Sequence, residues 1–171
     1  MNERKYIVLQ GPPGTGKTRT AKNVAEKIKA KTFFTQFHAE TSFSDFIYGI
    51  RPDLKNKELS YKECLGSFTE ALKYAMENVN EKVILIIDEI NRANLSNVLG
   101  PIFYLFEHKM DISNVEMEIF PEFKINKLPV NFFVIATMNT ADRSLAVVDF
   151  ALRRRFAWYS LKPKVISSKQ F

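Results

Sequence analysis

Short apolar runs alternate along the chain with segments in which apolar residues recur at helical spacing. Runs that end at glycine or at polar residues are typical of buried parallel strands. We predict five strands, over residues 5–10, 32–38, 83–87, 131–139 and 156–161, and we expect those at 5–10 and 131–139 to be buried. The run at 83–87 is the strongest, and it leads directly into two acidic residues. The chain therefore carries the strands of an α/β sheet.

Helices are predicted between most of these strands. The spacing of apolar residues indicates helices over residues 17–30, 68–78, 95–108 and 145–153. Gly100 and Pro101 lie inside the third helix and should kink it or delay its start, because proline lacks an N–H and clashes with the preceding turn. Residues 39–66 are predicted to be irregular. The alternation over residues 115–125, interrupted by Pro121, predicts an exposed hairpin.

This order of elements predicts one α/β domain, residues 1–171, with a mainly parallel five-stranded sheet. A chain of 171 residues is long enough for one such domain and short for two. Right-handed crossovers connect parallel strands, and functional loops then gather at the carboxyl ends of the strands. Candidate chemistry should therefore lie at that edge of the sheet.

A glycine-rich segment, GPPGTGKT at residues 11–18, joins the first predicted strand to the first predicted helix. It satisfies the pattern G-x-x-x-x-G-K-[ST] in the strand-to-helix context that the pattern requires. In such a loop, backbone N–H groups and the positive end of the helix dipole face phosphate oxygens. Lys17 would reach the β- and γ-phosphates, and the Thr18 hydroxyl would bind Mg²⁺. The residues predicted to bind GTP or ATP are Gly11, Pro12, Pro13, Gly14, Thr15, Gly16, Lys17, Thr18 and Arg19.

Two carboxylates, Asp88 and Glu89, follow the third predicted strand. An acidic pair at this place also fits a solvated strand end. Beside a phosphate loop, however, Asp88 is predicted to hold Mg²⁺, largely through water, because magnesium keeps much of its hydration shell. Glu89 is predicted to orient or deprotonate an attacking water. A glutamate beside the aspartate favours water as the nucleophile, and thus hydrolysis.

A polar segment, residues 137–143, follows the fourth predicted strand. Asn139 is predicted to place its amide between the γ-phosphate and the attacking water, although an isolated asparagine more commonly forms a turn. Asp142 and Arg143 could pair with each other or serve the site, and both alternatives stay open.

Three arginines, residues 153–155, lie at the end of the last predicted helix. Cations at a helix C-terminus are stabilised by the helix dipole, and they often have no role other than to be solvated. The alternative is an arginine finger, whose guanidinium stabilises charge on the transferring phosphoryl group. An arginine at the domain edge would act on the nucleotide of a neighbouring subunit, which requires a ring or another heterologous assembly.

Composition excludes several other kinds of site. A single cysteine, Cys64, and two separated histidines cannot form a disulfide framework or a Cys/His zinc site. No apolar stretch has the length of a signal or a membrane span, so we expect a cytoplasmic protein with no membrane partner. The net charge of +6 is basic at both ends of the chain and acidic in the middle. This distribution fits solvated surface or nucleic-acid contact, but a nucleotide pocket, which needs both cations and carboxylates, explains it better.

The motifs together resemble one family. The segments GPPGTGKT, DEINRAN (residues 88–94), MNTADRS (138–144) and LRRRF (152–156) are similar to the AAA+ module of McrB, the GTP-dependent motor of modification-dependent restriction systems. FHAETSFSDFIYGIRP, residues 37–52, is similar to the segment after the second strand in that family. The resemblance spans about residues 5–162. It implies a three-layer αβα P-loop NTPase core.

The resemblance also implies roles for individual residues. Asp88 and Glu89 would be the Walker B pair and Asn139 the sensor, while Asp142 and Arg143 would complete the family signature at the subunit interface. Arg154, followed by Arg155, would be the arginine finger. As partners, the resemblance implies a homo-hexameric ring of the full-length protein, a nuclease subunit of the McrC type, and DNA bound indirectly. The DNA-reading N-terminal domain and the helical lid of the family are expected to be absent from residues 1–171.

Two other functions remain open at this stage. The same core would suit an ATP-dependent remodelling chaperone of the MoxR type. It would also suit a nucleotide-binding regulatory module with little turnover.

Overall fold

A computed structural model describes residues 5–53, 60–107, 116–141 and 150–163. Within these ranges the strands are β1 Tyr6–Gly11, β2 Lys31–Gln36, β3 Tyr48–Pro52, β4 Tyr61–Leu65, β5 Val83–Asp88, β6 Met117–Phe120, β7 Phe123–Ile125, β8 Phe132–Asn139 and β9 Ala157–Ser160. The α-helices are α1 Lys17–Lys27, α2 Phe43–Phe46, α3 Ser67–Glu77, α4 Leu95–Leu99 and α5 Phe150–Arg155. Two 3₁₀ helices, Ile90–Arg92 and Gly100–Phe106, complete the regular structure of these ranges.

The five predicted strands form the central sheet, in the order β2-β5-β8-β1-β9. All four neighbouring pairs are parallel. Gly11 lies opposite Asn139 across β1 and β8, and Gln36 lies opposite Asp88 across β2 and β5. Parallel pairing thus brings the ends of β1, β5 and β8 to one edge, which confirms the predicted placement of the polar segments.

Helices cover both faces of this sheet. Alternate residues of β5 point to opposite faces, as in any strand. Ile84 and Ile86 pack in a small core with Ala21 and Ala25 of α1. Val83, Leu85 and Ile87 belong to a larger core that contains residues of α3 and α4 and many of the aromatic side chains. The predicted three-layer αβα architecture is therefore confirmed.

The third predicted helix changes type where the sequence predicted a disturbance. Helix α4 ends at Leu99, and Gly100–Phe106 continues as a 3₁₀ helix with Pro101 at its start. Proline is tolerated in the first turn of a helix, because an N–H at that position would have no partner within the helix. The last predicted helix is observed as α5, which starts at Phe150. Residues 145–149 of that prediction lie outside the described residues.

Two expectations about the hairpins were wrong. Residues 39–66 contain α2 and an antiparallel hairpin of β3 and β4 rather than only irregular chain. The predicted hairpin at 115–125 is present as β6 and β7, but it is not exposed throughout, since Ile119 and Ile125 are buried. Its aromatic residues stack on each other and on Tyr48 of the first hairpin. The second hairpin therefore buries part of one face, whereas most residues of the first hairpin stay exposed or half-buried.

None of the helices in the described ranges combines the length and the hydropathy needed to span a membrane.

Candidate functional site

The glycine-rich loop connects β1 to α1 at the functional edge of the sheet. Gly14 and Gly16 have φ angles of 78° and 77°, a left-handed conformation that costs glycine little and other residues more. Gly16 is the N-cap of α1 and provides no side-chain hydrogen bond to the first turn. The first N–H groups of α1 are thus available to an anion, as in other phosphate sites at helix N-termini.

Lys17 lies inside this loop. Its side chain is buried, with 7% exposure, and its Nζ donates to the carbonyl oxygens of Gly11 at 3.0 Å and Pro12 at 2.9 Å. A buried ammonium needs such partners, because an unpaired buried charge is costly. The loop carbonyls therefore hold the cation among the backbone groups that would surround a phosphate.

The adjacent helical residue, Thr18, reaches across to β5. Its hydroxyl donates to Asp88 Oδ1 at 2.6 Å. The same carboxylate oxygen accepts a second hydrogen bond, of 2.7 Å, from the Thr137 hydroxyl of β8. The phosphate loop and the acidic strand end thus form one site, as the sequence predicted.

These oxygens suit a magnesium ion. Magnesium prefers hard oxygen ligands and usually binds to one or two protein groups, substrate phosphates and several waters. The hydroxyl of Thr18 and the carboxylate of Asp88 supply such a pair. No group of three or more His, Cys, Asp or Glu side chains in the described ranges is arranged to hold a metal by itself. A magnesium ion here would therefore depend on phosphate and water for its other ligands.

Glu89 follows Asp88 in an unusual backbone conformation. Its φ of 54° and ψ of 46° are left-handed, which is uncommon for a residue other than glycine. Its backbone N–H donates to Thr137 Oγ1 at 3.0 Å. Its Oε2 is buried, accepts no hydrogen bond within the described ranges, and lies 3.6 Å from Arg92 Nε. A carboxylate oxygen held in this way can accept a proton from a water at the site.

Asn139 ends β8 and is also buried. Its Oδ1 accepts a hydrogen bond from the backbone N–H of Ala141 at 3.0 Å, a contact by which asparagine commonly forms a turn. Its carbonyl accepts Nδ2 of Asn91 at 3.1 Å, so the turn after β5 is tied to the end of β8. The sensor role of Asn139 stays a prediction. The candidates Asp142 and Arg143 lie outside the described residues.

The three arginines at the end of α5 occupy different environments. Arg155 forms an ion pair with Glu107 and lies over the ring of Phe103, 5.4 Å from its centroid. Arg153 lies over Trp158 at 5.0 Å. Arg154 is exposed. The finger role of Arg154 and Arg155 stays a prediction.

A cavity of about 730 Å³ adjoins the outer side of the phosphate loop. Ligand pockets commonly have volumes of about 300–1,000 Å³, so this one is large enough for part of a nucleotide. It is lined by the loop, by the outer face of α1 and by the chain after β9: Pro13, Gly14, Thr15, Gly16, Arg19, Thr20, Asn23, Leu161, Lys162 and Pro163.

Sequence reasoning missed two groups of residues here. The cavity residues Leu161, Lys162 and Pro163 carry no pattern that points to a ligand. Thr137, by contrast, left a signal, because it is a polar residue inside an otherwise apolar strand. A buried hydroxyl must find a partner, and this one contacts both members of the acidic pair.

The site has the parts of a P-loop nucleotide-binding domain. A phosphate loop joins a strand to a helix, and a carboxylate from another strand accepts a hydrogen bond from that helix. The profile of the AAA domain (dynein-related subfamily) matches residues 6–156. The chain belongs to this AAA family. It is therefore an NTPase domain by class.

Curated relatives confirm the McrB resemblance. The chain is 42% identical over 168 residues to the type IV methyl-directed restriction enzyme EcoKMcrB subunit of Escherichia coli (strain K12), which covers 94% of this chain and 36% of that protein. It is 29% identical over 194 residues to the type II restriction enzyme BsuMI component YdiS of Bacillus subtilis (strain 168), which covers 91% of this chain and 56% of that protein. The chain thus spans only part of the length of either relative.

Solved structures support the fold. A proposed ATPase from Cytophaga hutchinsonii matches with a TM-score of 0.59 and 19% identity, covering 93% of this chain and 42% of that chain. The P216G mutant of RuvB from Thermotoga maritima matches with a TM-score of 0.53 and 21% identity, covering 92% of this chain and 38% of that chain. At this identity the likeness concerns the fold alone.

Proposed function

We propose that this chain binds and hydrolyses a nucleoside triphosphate, with GTP preferred, as a motor subunit in the restriction of modified DNA. The observation that carries the proposal is the 2.6 Å hydrogen bond between Thr18 and Asp88. It joins the phosphate loop to the acidic strand end, so that phosphate and metal ligands lie side by side. Both relatives are parts of restriction enzymes, which supports a role in a restriction system.

Binding would begin at the loop. The N–H groups at the start of α1 and the Lys17 ammonium would face the β- and γ-phosphates, in place of the carbonyls that Lys17 now contacts. Bound Mg²⁺ would supply positive charge shared between phosphate oxygens. Thr18 and Asp88 would hold that ion. The Thr18 hydroxyl has two lone pairs, so it can keep donating to Asp88 while it ligates the ion.

Hydrolysis would depend on Glu89 and Asn139. The buried Oε2 of Glu89 would accept a proton from the attacking water or fix its orientation. Asn139 would turn its amide toward the γ-phosphate and the water. Its hydrogen bond to Ala141 keeps the side chain at the end of β8, beside β1 and the loop.

Direct measurement of turnover tests the proposal. We expect Mg²⁺-dependent release of phosphate from GTP, faster than from ATP at equal concentrations. Equal rates or a preference for ATP would favour the remodelling chaperone. Tight binding of Mg-nucleotide with turnover near zero would favour the regulatory module.

Assembly is expected to depend on the nucleotide. In the presence of Mg²⁺ and GTP, the mass in solution should rise from one chain of 19.8 kDa to six. Because a heterologous interface closes into a ring only when its rotation allows, intermediate masses should be rare. Native mass spectrometry with GTP and with ATP shows whether a ring forms and which of the two nucleotides promotes it. A chain that stays monomeric with every nucleotide would contradict the homo-hexamer.

Arg154→Ala is expected to leave nucleotide affinity unchanged and to slow hydrolysis only in the assembled state. Loss of one charge-assisted hydrogen bond corresponds to a slowing of about tenfold or more. Arg154 is exposed, as a role toward a neighbouring subunit requires, and the control residue Arg153 is exposed as well. Arg153→Ala is the matched control, because Arg153 lies over Trp158. An undiminished effect of Arg154→Ala in a proven monomer would contradict the finger.

Both relatives are parts of restriction enzymes, which supports a partner subunit. We propose a nuclease subunit of the McrC type that binds the assembled ring, and DNA that is contacted through that subunit or through a separate domain. Asp142 and Arg143 are proposed to lie at the subunit interface. A pull-down that recovers the nuclease subunit only with GTP present would support this arrangement.

A further inference from the structure

Thr137 is a completely buried polar residue in the central strand β8. Its hydroxyl donates to Asp88 Oδ1 at 2.7 Å and accepts the backbone N–H of Glu89 at 3.0 Å. A hydroxyl carries one proton and two lone pairs, so its donor is fully used. One side chain thus contacts both residues of the acidic pair.

The backbone of Glu89 needs this contact. Parallel pairing between β5 and β8 ends at Ile87 and Ala136, so Glu89 lies beyond the ladder, and its N–H donates to the side chain of Thr137. Glu89 also adopts the left-handed conformation, which is strained for a residue with a Cβ and persists only where its surroundings hold it. The Thr137 hydroxyl takes the place of a ladder partner. It therefore stabilises the turn that carries the carboxylate of Glu89.

The Thr137 hydroxyl also fixes the orientation of the Asp88 carboxylate. The hydroxyls of Thr18 and Thr137 both donate to Oδ1, at 2.6 and 2.7 Å. Two donors on one oxygen fix the rotation of the carboxylate. Within the described residues no hydrogen bond of this carboxylate is to its other oxygen, so the lone pairs there can face a hydrated cation. The orientation of Asp88 thus depends on one residue of the phosphate loop and one of the sensor strand.

We infer that Thr137 is a positioning residue that sets Asp88 for the metal ion and Glu89 for the attacking water. The inference rests on the proposed function, in which these two residues bind magnesium and activate water. A purely structural threonine would affect the stability of the fold alone. A positioning threonine would also affect metal affinity and turnover.

The test compares Thr137→Val, which replaces the hydroxyl with a methyl of similar size, with Thr137→Ser, which keeps the hydroxyl. Affinity for Mn²⁺, used as the spectroscopic probe, is measured by electron paramagnetic resonance with a non-hydrolysable GTP analogue bound. We expect Thr137→Val to weaken Mn²⁺ binding and to lower kcat, each by about tenfold or more, with KM changed little. Thr137→Ser is expected to stay within about threefold of the wild type in both, because the charge-assisted hydrogen bond is kept.

Thr69→Val is the matched control. Thr69 is also completely buried, but its hydroxyl has no hydrogen-bond partner in the described ranges, and it lies on α3. Its loss should leave Mn²⁺ affinity and kcat unchanged. Equal values for Thr137→Val and the wild type in both measurements would overturn the inference.

Two further outcomes stay distinguishable. If the wild-type chain binds Mn²⁺ and nucleotide but hydrolyses nothing, the proposed function fails, while the comparison of Mn²⁺ affinities still decides the role of Thr137. If Thr137→Val does not fold, amide hydrogen exchange of the wild-type chain decides it. The N–H of Glu89 must then be protected, and exchange at the rate of a free amide would refute the inference.

Discussion

Lys17→Ala is expected to weaken the binding of Mg-nucleotide by about a hundredfold or more, which is the largest effect we expect on affinity. Lys17 would donate to the β- and γ-phosphates, and each hydrogen bond to a charged group contributes about 1.5–3 kcal/mol. Loss of both corresponds to at least two decades in the dissociation constant. Titration of a fluorescent GTP analogue, or calorimetry, measures this constant directly.

Two further variants separate the causes. Lys17→Met keeps most of the buried stem and removes the charge, so it should bind as weakly as Lys17→Ala if the ammonium is what matters. Lys27→Ala removes an exposed cation from the last turn of the same helix and should leave affinity unchanged. Unchanged affinity in both Lys17 variants would refute the assignment of the phosphate loop.

The parts of this fold that could be predicted from the sequence are those that have a local cause. A strand buried on both faces is apolar throughout, so the inner strands β1, β5 and β8 were visible without knowledge of their partners. The edge strands β2 and β9 are exposed or half-buried, and they were visible as short apolar runs between predicted helices. The phosphate loop was equally visible, because its glycines meet a local backbone requirement at Gly14 and Gly16. The pairing of Thr18 with Asp88 then followed from the parallel order of the strands.

The parts that could not be predicted depend on contacts between distant segments. The β3–β4 hairpin exposes Ile50 and Tyr61, so its sequence lacks the apolar run of a core strand. The hairpin of β6 and β7 was predicted, but its burial depends on packing beside Tyr48. The double contact of Thr137 joins residues that lie 48 and 49 positions apart. No local pattern specifies such a contact.

Glu89→Gln is expected to leave nucleotide binding intact and to slow hydrolysis by about 10²–10⁴-fold, the usual contribution of a general base. Glutamine has nearly the same shape as glutamate, so the left-handed turn and its hydrogen bond to Thr137 should persist. The amide, however, cannot take a proton from water at neutral pH. Single-turnover hydrolysis of bound GTP, measured beside the dissociation constant, separates the two effects.

The interpretation of Glu89→Gln depends on how fast the wild-type chain hydrolyses GTP. Glu26→Gln, an exposed change on α1, is the control and should hydrolyse GTP at the wild-type rate. If Glu89→Gln matches a wild type that turns over well, another group activates the water, and the buried Oε2 serves only its contact with Arg92. If both rates are near zero while binding is tight, the site acts as a nucleotide-dependent switch. The same loop and the same carboxylate pair would then sense the triphosphate without consuming it.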